Sequence, residues 1–285
     1  MIDWPVSLVD DVARRRAAVF MGAGVSSRSR GAGDARPPLW KEFLERALER
    51  CDGAKTHIRR ALRENDLLTS CELIRNRLDE DWIPVLRTNF VQPRYQANEL
   101  HDGIYRLDLR LVITPNFDKI YDGLSSRESE NTVIVKNYYD SDIGNICRDN
   151  SRIVLKVHGT IDEPGRMIFT RKEYAFARVQ YAAFYRVLEA VVLTHTFLFV
   201  GCSLRDPDLQ LLLENQAFTF PQSKPHYIAM PGTHDEVAEL MRQNMNLKVL
   251  GYSPRDEHRE LVDSVQALLE RVEERRQVIA RESDW

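Results

Sequence analysis

Residues 17–26, Ala17-Ala18-Val19-Phe20-Met21-Gly22-Ala23-Gly24-Val25-Ser26, decide the fold. Five consecutive apolar residues with no polar alternation are what a strand buried on both faces requires. The glycines directly behind it permit a tight turn and a close backbone approach. The same pattern of a short apolar run closed by small or polar residues recurs at 109–114, 132–135, 153–157, 197–200, 226–229 and 248–250.

Helical periodicity fills the spaces between these runs. Leu39, Trp40, Phe43, Leu44, Ala47 and Leu48 share one helical face, with Pro37-Pro38 at its start and Gly53 beyond its end. Residues 54–107 read as three or four short helices interrupted near Pro84 and Pro93, a small inserted helical lobe. One long helix is expected over 172–193, shorter ones over 208–216 and 235–245, and a last one over 256–279. The polar stretch Gly123–Asn131 is expected as a surface loop. Strands alternating with helices call for an α/β fold: a Rossmann-like, mostly parallel sheet with helices on both faces. A single domain over 1–285 is expected, with 256–285 as a C-terminal helix and tail.

Composition narrows the function. The chain has 285 residues and a formal net charge of −3, which offers no electrostatic case for direct nucleic-acid binding. Its four cysteines, Cys51, Cys71, Cys147 and Cys202, contain no C-x-x-C pair, which argues against a zinc ribbon and a thioredoxin motif. No secretory leader or membrane span is legible, so a cytoplasmic location is expected.

Ligands of doubly wound sheets bind beyond the C-terminal ends of the strands, and four segments fall there. Gly22-Ala23-Gly24-Val25-Ser26 could offer backbone N–H groups to a pyrophosphate, although it lacks the third glycine of the usual dinucleotide fingerprint; a plain glycine-rich loop is equally compatible. In Thr114-Pro115-Asn116-Phe117-Asp118 the Asn116 amide could position a carboxamide or a water, and Asp118 could accept from an amide or cap a helix. His158, in Lys156-Val157-His158-Gly159, stands where a general base would be useful, or is structural. Gly201-Cys202-Ser203 leads into Arg205-Asp206-Pro207-Asp208, where Ser203 could bind phosphate or ribose and the aspartates ribose hydroxyls; capping of the next helix is the better account of Asp208.

The order GAGxS, TxNxD, HG, GxS, each at a strand end, resembles the NAD-binding core of the sirtuins. KVHG, FTRKEY and GCSLRDPDL resemble, more narrowly, the sirtuin-like NADases of bacterial antiphage defence. The resemblance covers about residues 15 to 215. It implies that Gly22, Ala23, Gly24 and Ser26 surround the NAD phosphates, Asn116 faces the nicotinamide ribose, Asp118 holds the carboxamide, His158 is the base, and Gly201 and Ser203 line the adenosine half. NAD is then the substrate, and no metal is expected.

Two departures shape the expected chemistry. Deacylase sirtuins carry two Cys pairs for a structural zinc between the HG and GxS segments; residues 160–200 hold no cysteine, so the zinc module is absent. The loop after Ser26 is longer than the family's link to the P-x-W segment, and reads as flexible, basic and able to close over a cofactor. With the zinc module goes much of the peptide-binding surface, leaving water as the expected nucleophile. An NAD-dependent deacylase or ADP-ribosyl transferase, and a non-catalytic NAD or ADP-ribose sensor, are the alternatives. By resemblance, control by a partner is expected: a HerA-type ATPase, less readily an Argonaute, or a homo-oligomer. The apolar stripe Leu261, Val262, Val265, Leu268, Leu269, Val272, and Trp285 beyond it, are candidate contacts, although most such stripes pack on the chain's own core.

Overall fold

The first strand, β1 (Ala17–Met21), is buried along its whole length, and so are β2 (Leu111–Thr114), β4 (Ile153–Lys156) and β5 (Thr196–Val200). With β3 (Ile134–Asn137), β6 (His226–Pro231) and β7 (Leu247–Tyr252) they form one seven-stranded sheet of order β3-β4-β2-β1-β5-β6-β7. All six pairings are parallel. The computed structural model describes residues 1–282; Trp285 lies outside the described residues. Every run read as a strand is one, with ends shifted by a few residues.

Helices cover both faces, and strand alternation assigns each residue to one of them. On one side Val19, Met21, Val112, Val154, Leu198 and Val200 meet α1 (Val6–Ala13), α7 (Glu99–Arg106), α8 (Ile120–Glu128) and α13 (Arg255–Glu282). On the other, Phe20, Ile113, Leu155, Phe197 and Phe199 meet α9 (Arg171–Gln180), α10 (Ala182–Thr194), α11 (Pro207–Thr219) and α12 (Asp235–Met245). The stripe Leu261–Val272 of α13 lies in the first of these cores.

A third core joins α3 (Trp40–Glu49), α4 (Thr56–Arg63), α5 (Leu67–Leu78) and α6 (Trp82–Phe90) to Ile161, Met167 and Phe169. The four-residue turn of helix α2 (Ala23–Ser26) follows β1. Trp40 stacks on Phe169 at 5.1 Å between ring centroids, and Phe117, beside Asn116, packs edge-on against Phe90 at 4.7 Å and Phe169 at 5.2 Å. This third core is thus seated on the loops that follow β2 and β4, whereas α7 packs in the first core.

Two expectations are corrected and one helix is added. The segment expected as a loop at 123–131 is helical to Glu128, because Tyr121 and Leu124 are buried against the sheet and Asp118 accepts the Ile120 N–H at 2.9 Å at the helix start. The long helix expected at 172–193 is two, parted at Tyr181, whose φ of −116° and ψ of 38° are not helical. The N-terminal helix α1 is the addition; its Leu8 and Val12 are fully buried.

Candidate active site

Strand register brings the four segments to one edge. Met21 pairs with Val200, so Gly22 and Gly201 leave the sheet side by side. Thr114 pairs with Lys156, so Asn116 and His158 each stand two residues past a matched pair on neighbouring strands. Thr114 Oγ1 donates to the Met21 carbonyl at 2.7 Å and accepts the Asn116 N–H at 3.1 Å, tying the β2 loop to the β1 end. β1 is where the strand order reverses, since β2 and β5 flank it. The crevice at such a reversal is where open α/β sheets bind ligands.

Gly22 and Gly201 interlock. Gly22 N–H donates to Val200 O and Gly24 N–H to Gly201 O, both at 2.9 Å. Gly201 has φ +64°, a region that favours glycine. Ala23 and Ser203 are exposed, whereas Ser26 is buried.

Ser26 lies inside a polar chain. Asn116 Nδ2 donates to Ser26 Oγ at 3.3 Å, and Ser26 Oγ lies 3.4 Å from His101 Nε2. His101 Nδ1 accepts the Asn98 N–H at 3.3 Å, so Nε2 carries the ring hydrogen and donates to Ser26. Ser26 Oγ therefore receives two donors and retains its own hydrogen for a third partner. Burial pushes His101 down to about 3, which keeps it neutral in this role. Sequence reasoning missed His101; its one local mark is Asn98, three residues before it, which caps α7.

Asp118 is buried, and its Oδ1 accepts the Ile120 N–H at 2.9 Å just before α8. Beneath it, the fully buried Lys156 donates to the Asp118 carbonyl at 2.6 Å and to Asp122 Oδ2 at 2.9 Å. Burial raises the Asp122 carboxyl, and the Lys156 ammonium opposes that rise.

His158 is paired. Its Nε2 lies 2.8 Å from Asp206 Oδ2, and Tyr174 Oη donates to the same oxygen at 2.7 Å. Burial works to raise the Asp206 carboxyl, but His158 and the hydrogen bonds from Leu209 N–H and Tyr174 hold it down to about 2. Asp206 Oδ1 accepts Leu209 N–H at 2.8 Å, so Asp206, not Asp208, caps α11. Asp208 is instead bound by Arg178 at 2.6 Å and Tyr185 at 2.7 Å. Tyr174 belongs to the FTRKEY motif, yet its pairing with His158 has no sequence signal.

The loop after Ser26, expected as flexible, is anchored. Ala32 N–H donates to Pro93 O at 2.7 Å, Gln96 N–H to Arg30 O at 2.8 Å, and Arg36 pairs with Glu257. Two cavities open elsewhere. One of about 340 Å³ lies at the opposite edge, under Thr196 and His226, and one of about 550 Å³ lies along α13; neither is lined by these site residues. Among the described residues no three His, Cys, Asp or Glu side chains gather as a metal site, and no helix is long and apolar enough to cross a membrane.

A parallel sheet whose reversal point carries this asparagine, histidine and glycine-loop arrangement is a Rossmann-like α/β domain. Residues 110–250 match the family model described as a SIR2-like domain. The NAD(+) hydrolase ThsA of Enterococcus faecium is 28% identical over 228 residues, which cover 77% of this chain and 44% of that protein. ThsA of Acinetobacter baumannii is 26% identical over 233 residues, covering 77% and 43%. Defense-associated sirtuin 2 of Bacillus subtilis is 23% identical over 197 residues, covering 68% and 18%. The chain thus spans less than half the length of these curated relatives.

Proposed function

We propose that this chain hydrolyses NAD+ at the nicotinamide–ribose bond, giving nicotinamide and ADP-ribose, as the effector of a bacterial antiphage defence system. The observation that carries the proposal is the convergence of Asn116 and His158 beside the interlocked Gly22 and Gly201 loops at the reversal point of the sheet. Similarity to proteins named NAD(+) hydrolase supports it.

The C1′–N bond breaks with its electron pair leaving on neutral nicotinamide, and the ribose centre becomes oxocarbenium-like, as in glycoside hydrolysis. Water adds to C1′ and loses a proton to His158. Asn116 orients the water or the ribose from its place on Ser26. Gly22, Ala23, Gly24 and Ser26 take the phosphates, and Gly201 and Ser203 the adenosine half. Asp118 and Asp206 act mainly on the protein itself, holding the start of α8 and the His158 ring. The cell is protected from NAD loss by a partner of the HerA-ATPase kind, an Argonaute, or self-assembly, and the site of action is cytoplasmic.

The test is NAD consumption by the purified chain, alone and with a candidate partner, with products separated by chromatography. Nicotinamide plus ADP-ribose is expected from wild type. Base catalysis contributes about 10²–10⁴-fold, so His158→Ala and Asn116→Ala should lose nearly all turnover. Tight NAD binding without turnover under every condition would instead make the chain a sensor.

A further inference from the structure

We propose that Asp206 and Tyr174 are positioning residues that lock His158 as its Nε2–H tautomer, making Nδ1 the nitrogen that takes the proton from water. The proposal rests on the NAD-hydrolysis reading for its chemistry, and on hydrogen-bond geometry for the tautomer.

Asp206 Oδ2 lies 2.8 Å from His158 Nε2, and Tyr174 Oη lies 3.2 Å from the same nitrogen. Both neighbours face it as acceptors. A carboxylate has no hydrogen to give, and Asp206 also accepts the Leu209 N–H and the Tyr174 hydroxyl. The phenol has one hydrogen, and it is committed to Asp206 Oδ2 at 2.7 Å. Burial and the adjacent Asp206 charge raise the Tyr174 phenol well above its ordinary value, so it keeps that hydrogen. Two acceptors facing one ring nitrogen require that nitrogen to be N–H. The neutral ring then carries its lone pair on Nδ1, which has no hydrogen-bond partner among the described residues.

The His158 side chain is 16% exposed, so the ring is not sealed off. In the reaction the water oxygen bonds to C1′, one water O–H bond breaks, and the proton goes to Nδ1. The resulting imidazolium keeps Nε2–H on the Asp206 carboxylate, the charge that stabilises it, and later returns the Nδ1 proton to solvent. A buried aspartate that orients and steadies a catalytic histidine through the nitrogen remote from the reaction is the arrangement of hydrolase triads. Because Asp206 also caps α11 through Leu209, the base is referenced to the first turn of a helix rather than to a loop.

The variants separate capping from positioning. Serine is a good N-cap, so Asp206→Ser keeps α11 and removes the carboxylate from His158; Tyr174→Phe keeps the ring and removes the hydroxyl. Long-range ¹H–¹⁵N correlation spectra of histidine-labelled protein, with His158 assigned from its loss in His158→Ala, should show Nε2–H in wild type. Asp206→Ser should show a tautomer mixture. In NAD turnover, Asp206→Ser should lower kcat by about 10²-fold or more with KM held within about threefold. A wild-type Nδ1–H signal, or an unchanged tautomer in Asp206→Ser, overturns the proposal. An Nε2–H signal in protein that consumes no NAD supports the tautomer and removes the hydrolysis reading instead.

Discussion

Gly22 and Gly201 hold each other in place at the point where the strand order reverses. A Cβ on Gly22 would stand 2.9 Å from Cys202 Cα, and a Cβ on Gly201 would stand 2.6 Å from the Val25 nitrogen. The glycines are required by the packing of one strand-end loop on the other, before any ligand is considered. Gly22→Ala and Gly201→Ala should each cost roughly 2 kcal/mol or more in urea denaturation, since backbone must move in both. Gly144→Ala, where a Cβ meets nothing within 4 Å, should stay within about 0.5 kcal/mol of wild type.

Lys156→Met strands a carboxylate. Lys156 is fully buried and is the cation beside buried Asp122. Breaking a buried pair from one side costs about 3–5 kcal/mol, whereas replacing both partners with apolar groups can be neutral. Lys156→Met should therefore unfold at markedly lower urea, and Lys156→Met with Asp122→Leu should recover much of the loss. Equal instability in the single and double variants would show that the ammonium's bond to the Asp118 carbonyl matters more.

Stability should fall with acid. His101 and His226 are buried and held down from 6.5 to about 3 and about 4, and each accepts a backbone N–H on Nδ1. Their protons bind only after unfolding, so stability present above pH 6.5 is lost as pH falls toward those folded values. Between pH 7 and pH 5 each should remove about 2 kcal/mol. Asp206, lowered from 3.8 to about 2, adds a further loss below about pH 4. Unfolding free energies measured from pH 7 to pH 4.5 that stay level would contradict this assignment.

Ser26→Ala removes the oxygen shared by Asn116 Nδ2 and His101 Nε2. Leaving buried donors unmet costs about 1–3 kcal/mol. The Asn116 amide also loses its orientation, so NAD turnover should drop by more than the stability loss explains. Turnover equal to wild type would mean that Asn116 is held by other contacts.

Much of the fold was legible because a parallel sheet writes itself as uninterrupted apolar runs, as in Ala17–Met21 and Thr196–Val200. The helix α8 was not, because Gly123, Ser125 and Ser126 carry loop chemistry and only the burial of Tyr121 and Leu124 makes them helical. The break at Tyr181 has no proline or glycine to announce it; there the ring packs edge-on against Tyr138, 5.0 Å away.

The sequence by itself determined which residues leave the sheet at strand ends, since the apolar runs and the small or polar residues behind them are local features. Asn116, His158, Gly22 and Gly201 were named on that ground. Tertiary structure alone decided the strand order, and with it which ends are neighbours. It also decided that Asp206 faces His158, that Tyr174 joins them, that His101 reaches Ser26, and that Lys156 is buried on Asp122. Those pairings join segments far apart in the chain, and their cause is the side-by-side register of parallel strands, which no local stretch of residues encodes.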